Sequence, residues 1–186
     1  MAANTNIIKV YASADAPAKV EILFKNYSNF LGIVDSRTEG LLYLIENEKS
    51  FNHKASHGDL GVRVQSTGHY SDPTGNAATD NVITREAIIQ CDFSNGVLDG
   101  VDREQEFIRE ASILRNMRRD YQLLNKQFQI LPEEDRRFLC AYLRGECEVP
   151  DIADELGVNC SAIHKKVSRL KIKVKETVLP ILDGKL

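Results

Sequence analysis

The stretch that decides the fold is residues 131–175, which read LPEEDRRFLCAYLRGECEVPDIADELGVNCSAIHKKVSRLKIKVK. Its first part predicts a helix, because Pro132 suits a first helical position and the acids that follow meet the positive end of the helix dipole. Apolar side chains then recur at helical spacing. Gly145 can supply the left-handed residue that ends this helix.

The rest of the stretch has the spacing of a helix-turn-helix. A second helix is predicted from Pro150 to Gly157, and a third from Cys160 to about Val174. Ala153 is small, so the third helix can cross closely over the second, and Gly157 tolerates the positive φ of a tight turn. The core expected under the turn consists of Ile152, Leu156, Val158 and Ile163. The residues expected to face inward along the third helix are Ile163, Val167, Leu170 and Val174.

The outer face of the third helix is basic and predicts contact with DNA. Between Gly157 and Lys175 the chain has six Lys or Arg residues and no Asp or Glu, and a phosphate backbone attracts such a segment. The residues predicted to bind DNA are Ser161, Ala162, His164, Lys165, Lys166, Ser168, Arg169, Lys171 and Lys173. The lysines at 166, 171 and 173 are expected nearer the phosphates. The alternative is a helical hairpin with a solvated basic face.

Residues 131–139 and 152–158, LPEEDRRFL and IADELGV, resemble region 4 of bacterial sigma factors. The resemblance implies a helix-turn-helix that binds an upstream promoter element. The chain departs from this family at one position, because Lys166 stands where the family usually has an apolar residue and Val167 takes the inward role.

A second segment resembles a narrower family. Residues 70–78, YSDPTGNAA, precede a long predicted helix that leads into the sigma-like end. This order resembles the ArpU/RinA-type transcription regulators of bacteriophages and prophages of Gram-positive bacteria. The resemblance implies control of phage genes at double-stranded promoter DNA, beside the host RNA polymerase.

Composition favours an intracellular regulator. The chain has 186 residues and a net charge of −3, so its basic character is local and does not make it a general polyanion binder. It has no apolar run of membrane-spanning length and no basic N-terminal segment followed by an apolar stretch. We therefore expect a cytoplasmic protein that does not contact membranes.

Metal and catalytic sites find little support in the sequence. The four cysteines (Cys91, Cys140, Cys147 and Cys160) show no paired spacing, and the intervals that include His164 fit no known zinc module. The histidines at 53, 57 and 69 lie in a predicted loop without ligand partners at metal spacing. No catalytic triad, paired carboxylates or glycine-rich phosphate loop stands out. We expect no cofactor, no metal and no enzymatic activity.

The whole chain predicts a mainly α fold, with an N-terminal helical domain and a C-terminal sigma-like helix-turn-helix. The predicted segments are an N-terminal helical region at 1–50, a loop or linker at 51–81, central helices at 82–130 and a DNA-binding domain at 131–186. Within the first segment, residues 7–11 predict a short strand, residues 16–34 a helix, and residues 35–48 a further helix. Residues 61–66 alternate and predict another short strand.

Two further helices are predicted before the sigma-like end. Residues 79–92 predict one helix, with Val82, Ile83, Ala87 and Ile88 facing inward. The longest helix, predicted at 98–129, carries two rows of seven-residue period. The first row contains Phe107, Leu114, Tyr121 and Phe128, and the second Met117, Leu124 and Leu131. The rows either join two protomers as a homodimer or dock the N-terminal helices.

Together these features predict a sequence-specific DNA-binding transcription regulator of phage type that acts at promoters with host RNA polymerase. Two alternatives stay open. One is a phage packaging or structural protein that uses the same helix-turn-helix, and the other is an RNA polymerase-interaction module that does not read DNA.

Overall fold

The computed structural model describes the backbone of residues 2–56 and 73–184 and the side chains of residues 7–53 and 79–184. In these ranges the chain forms eight α-helices and no β-strand, which confirms the mainly α prediction. The helices are α1 (Ala2–Ser13), α2 (Ala16–Lys25), α3 (Phe30–Ser56), α4 (Pro73–Gln90), α5 (Glu104–Phe128), α6 (Glu133–Arg144), α7 (Val149–Glu155) and α8 (Cys160–Leu182).

The N-terminal helices correct two predictions. The strand predicted at 7–11 lies inside α1, where Ile8 and Tyr11 are buried at helical spacing. The single helix predicted at 16–34 is broken into α2 and α3, because α2 ends at Lys25 and α3 begins at Phe30. Asn26 caps the end of α2, and its side-chain amide donates to the Ile22 carbonyl at 2.8 Å. Asp15 caps the start of α2 by accepting from the backbone N–H of Ala18 at 2.9 Å.

The helix predicted at 35–48 is longer than the sequence indicated. It begins at Phe30 and runs to Ser56, and α4 begins at Pro73, so both ends of the loop predicted at 51–81 are helical. Residues 57–72, with the predicted strand at 61–66 and two of the loop histidines, lie outside the described residues.

The inward face predicted for α4 is also corrected. Ala87 and Ile88 are buried as expected, but Val82 and Ile83 are 68% and 44% exposed. The buried side chain one residue later is Thr84. The row that packs inward therefore runs through 84, 87 and 88, which is the i, i+3, i+4 spacing of one helix face.

The chain forms two compact units. One consists of residues 1–33 and 117–186, and the other of residues 34–116. Helices α3 and α5 each contribute a segment to both units. Helices α6, α7 and α8 therefore belong to the same unit as α1 and α2.

The first unit has an aromatic core. The ring of Tyr27 lies 5.4 Å from that of Tyr121 and 5.5 Å from that of Phe128, between centroids, and Phe24 stacks on Phe128 at 6.4 Å. The seven-residue row of α5 thus docks the N-terminal helices at this end. Tyr121 and Phe128 cover the chain's own side chains, so these two residues give no support to a dimer seam.

The same core contains a hydrogen bond between the buried Tyr11 and the partly buried Asp120. The Tyr11 hydroxyl donates to Asp120 Oδ2 at 2.8 Å. Burial raises the pKa of both groups, since each ionised form would lose its hydration, and the hydrogen bond from Tyr11 only partly offsets this effect at Asp120.

In the second unit, Glu48 binds the residues that directly precede α5. Its carboxylate accepts from the backbone N–H groups of Asp102 and Arg103 at 2.8 and 2.9 Å, and from the Arg103 side chain at 2.8 Å. Burial acts to raise the pKa of Glu48, but the hydrogen bonds from Arg103 and Asp102 outweigh it and lower that pKa. Ion pairs of Arg37 with Glu110 and of Arg85 with Glu39 add to this unit.

Candidate nucleic-acid interface

Helix α6 ends as the sequence predicted. Gly145 adopts a φ of 69°, the left-handed conformation, and its N–H donates to the Tyr142 carbonyl at 3.2 Å. The Glu146 N–H donates to the Ala141 carbonyl at 3.0 Å, which completes the cap. The start of α6 differs slightly: Pro132 has a ψ of 146°, which is extended, so it precedes the first helical residue.

The turn between α7 and α8 also confirms its prediction. Gly157 has a φ of 63°, and the next N–H, of Val158, donates to the Ala153 carbonyl at 2.9 Å. The Asn159 side chain then caps α8 by accepting from the backbone N–H of Ala162 at 2.8 Å. These bonds fix the direction in which α8 leaves α7.

The core under the turn is smaller than predicted. Ile152, Ala153 and Ile163 form it, with Phe138 and Val149 packed against it. The methyl side chain of Ala153 allows α8 to approach closely, so Ile163 fills the space from the opposite side.

Two residues expected in this core are instead exposed. Leu156 is 56% exposed and Val158 is 44% exposed. Leu156 comes directly after the last residue of α7 and Val158 comes after Gly157, so neither side chain extends the inward row of α7. Phe138 of α6 packs against the core instead.

Helix α8 has one continuous buried row. The four residues predicted to face inward are all buried, and the row continues with Val178 because α8 runs to Leu182, well past the predicted end. The C-terminal half of α8 packs against α2 within the first unit. The outer face of α8 is therefore set by contacts at both of its ends.

The predicted DNA-binding residues fall into two groups by exposure. The exposed ones are Ser161, His164, Lys165, Ser168, Arg169 and Lys173. The partly buried ones are Ala162, Lys166 and Lys171. The helix brings the first group onto the surface opposite or beside the buried row, as its 3.6-residue period requires.

Lys166 is held by α6. Its ammonium lies 3.2 Å from Asp135 Oδ1 and 4.7 Å from the centre of the Phe138 ring. The two α6 residues are three positions apart and so share one helix face. The side chain predicted to approach phosphate is thus already engaged within the chain.

Lys171 and Lys175 meet the N-terminal helix α2. The Lys171 ammonium lies 5.2 Å from the Phe24 ring centre and 5.9 Å from that of Tyr142, and Lys175 pairs with Glu21. Burial lowers the pKa of Lys171, and the nearby Glu21 carboxylate offsets this only in part. The contacts with α2 could not be predicted from the sequence, since about 150 residues separate Lys171 and Lys175 from Phe24 and Glu21 along the chain.

The other three cations of α8 are available to a ligand. Within the described part of the chain, Lys165, Arg169 and Lys173 form no ion pair. No acidic residue occurs on α8 before Glu176. An uncompensated positive strip therefore lies on the exposed face of a capped helix.

In residues 7–53 and 79–184, no three His, Cys, Asp or Glu side chains are grouped so that they could hold a metal ion. All four cysteines are free thiols, with those at 147 and 160 exposed. None of the helices in the described ranges has the length and apolar character needed to span a membrane.

No protein family matches this chain, and neither a curated protein nor a solved structure is similar to it at a significant level.

Proposed function

We propose that this protein is a sequence-specific DNA-binding transcription regulator that inserts α8 into the major groove. The observation that carries the proposal is the outer face of α8, where Lys165, Arg169 and Lys173 are exposed and unpaired while the opposite face is buried. A helix presented by a tight turn, with small polar side chains among unpaired cations, suits the width and charge of the groove.

Helical geometry indicates which residues would read bases. With about 100° between successive residues, Lys165 and Arg169 lie roughly 140–180° from the middle of the buried row. Ser161 and Ser168 lie on or near that outer surface, and the exposed His164 lies beside it. These residues belong to the N-terminal part of α8, which is the part of a recognition helix that usually reaches base edges. Lys173, farther along and nearer the side, is placed for a phosphate contact.

The experiment uses a duplex selected from a random library by the purified protein, and a scrambled duplex of the same composition. Fluorescence anisotropy across a salt series gives affinity and salt slope for the parent, Lys165→Ala and Arg169→Ala. If either side chain reads a base, its loss costs about 1–3 kcal/mol on the selected duplex. Lys9→Ala, which removes an exposed cation from α1, is the matched control and is expected to bind like the parent.

The other possible results of the binding experiment distinguish the alternative functions. Parental binding by both folded α8 variants would show that this helix is not the reader. Equal affinity for selected and scrambled duplexes would favour a packaging or structural protein. No binding even at low salt would favour a module that contacts only protein.

Action at promoters of phage genes beside host RNA polymerase is part of the proposal and is supported by the sigma-like and ArpU/RinA-type resemblances. Run-off transcription with bacterial RNA polymerase, from templates that carry the selected duplex upstream, tests it. A change in transcript yield that Arg169→Ala abolishes is the expected result.

A further inference from the structure

Lys166 stands on the basic helix but differs from its neighbours in what it contacts. Its side chain is 37% exposed and that of its partner Asp135 is 26% exposed, and Lys166 is partly buried as a residue whereas the neighbouring Lys165 is exposed. The ammonium touches both a carboxylate and the face of an aromatic ring. Release of Lys166 to bind phosphate would leave Asp135 unpaired and repulsive to the same DNA.

The ring that Lys166 covers is itself part of the helix-turn-helix core. Phe138 packs against the cluster of Ile152, Ala153 and Ile163. The Ile163 side chain comes from α8, one turn before Lys166. A closed set of contacts thus runs from Lys166 to α6, through Phe138 to the core, and back to α8.

We propose that Lys166 is a positioning residue, which locks α6 to α8 through Asp135 and Phe138 and so holds the outer face of α8 in the orientation that reads DNA, without touching DNA itself. This proposal rests on the proposed function. Lys166 would then strengthen DNA binding by fixing α8 before DNA arrives. A helix that is already fixed loses less conformational freedom on binding.

The test compares Lys166→Met, which keeps the aliphatic stem, with Lys165→Met one position away. Both are titrated with the selected and scrambled duplexes across a salt series. A cation that contacts phosphate contributes about −0.9 to the slope of log K against log salt. For Lys166→Met we expect the parental slope, an affinity for the selected duplex lower by about threefold to tenfold, and a smaller loss on the scrambled duplex. Lys166→Arg, which keeps charge and ring contact, is expected to restore binding.

The partner residue gives an independent check. Asp135→Asn should reproduce the loss on the selected duplex, and the double variant with Lys166→Met should bind no worse than either single variant, since both changes break one contact. Circular dichroism confirms that each variant is folded.

Three results would overturn the proposal: a slope shallower by about 0.9 in Lys166→Met, tighter binding in Asp135→Asn, or a thermal destabilisation of Lys166→Met that leaves the ratio of selected to scrambled affinity unchanged. Failure of the proposed function itself would look different, because then the parent would show no preference for the selected duplex and Lys165→Met would have no effect.

Discussion

Replacement of Phe24 by Ala tests whether the N-terminal helix α2 is part of the unit that carries α8. Phe24 is 3% exposed, stacks on Phe128 of α5 at 6.4 Å, and lies under the Lys171 ammonium at 5.2 Å. A buried Phe→Ala change costs about 3–5 kcal/mol, because apolar contacts are lost and a cavity is left. The lost cation–π contact, about 0.5–1 kcal/mol at a partly exposed lysine, is included in that range.

Such a loss is a large part of the stability of an ordinary domain, which is about 5–15 kcal/mol. Urea titration of Phe24→Ala should therefore show a much lower midpoint with an unchanged slope. The matched control is Phe51→Ala on α3, where the same side chain is 72% exposed and its removal should change stability by no more than about 0.5 kcal/mol.

Amide hydrogen exchange then shows which helices lose stability in Phe24→Ala. If α2 supports α8, amides near Lys171 should exchange about a hundredfold faster or more in Phe24→Ala, since each 1.4 kcal/mol corresponds to a factor of ten. They should keep their protection in Phe51→Ala. A cost below about 1 kcal/mol, or unchanged exchange in α8 while α2 alone opens, would refute the assignment of α2 and α8 to one cooperative unit.

Three further predictions follow from single positions. Gly157→Ala should destabilise by about 1 kcal/mol in thermal melts because its φ is 63°, whereas Gly40→Ala, inside α3 with open space around the added carbon, should stabilise by about 0.5–1 kcal/mol. Lys173→Ala should make the salt slope of DNA binding shallower by about 0.9, while Lys175→Ala, whose ammonium is already paired, should leave it unchanged. Glu48→Gln should be less stable than the parent at neutral pH; since the folded pKa of Glu48 is lowered, urea titrations should show this difference disappearing as the pH falls below the ordinary value of 4.5.

The parts of the fold that the sequence predicted correctly depend on local chemistry. Gly145 and Gly157 adopt the left-handed backbone that their lack of a side chain permits, and the buried row of α8 follows from spacing alone. In both cases the residues that determine the local structure lie within a few positions of it in the sequence. The prediction of a strand at 7–11 is wrong because the β-branched residues there favour a strand only by local propensity, whereas burial of Ile8 and Tyr11 on one face favours a helix.

The contacts that hold some cations of α8 and leave others exposed could not be predicted from local sequence. Asp135 precedes Lys166 by about 30 residues along the chain. An acidic residue in the first turn of α6 is already expected from the helix dipole, so its presence does not indicate an ion pair with Lys166. Glu21 and Phe24 belong to the other end of the chain. Neither pairing leaves a periodic pattern in the sequence, because side chains that meet across separate helices follow no fixed spacing.

The angular position around α8 separates Lys166 and Lys171, which contacts within the chain hold, from Lys165 and Arg169, which lie near the side opposite the buried row. Lys166 and Lys171 lie roughly 60–80° to either side of the middle of the buried row, so each faces the helix that packs on its own flank. At position 166 the lysine stem and the cation–π contact of its ammonium with Phe138 join α8 to α6, and Asp135 neutralises the charge. Lys165 and Arg169, near the opposite side of the helix, have no such neighbour in the described residues, and their charge is left for a ligand outside the chain.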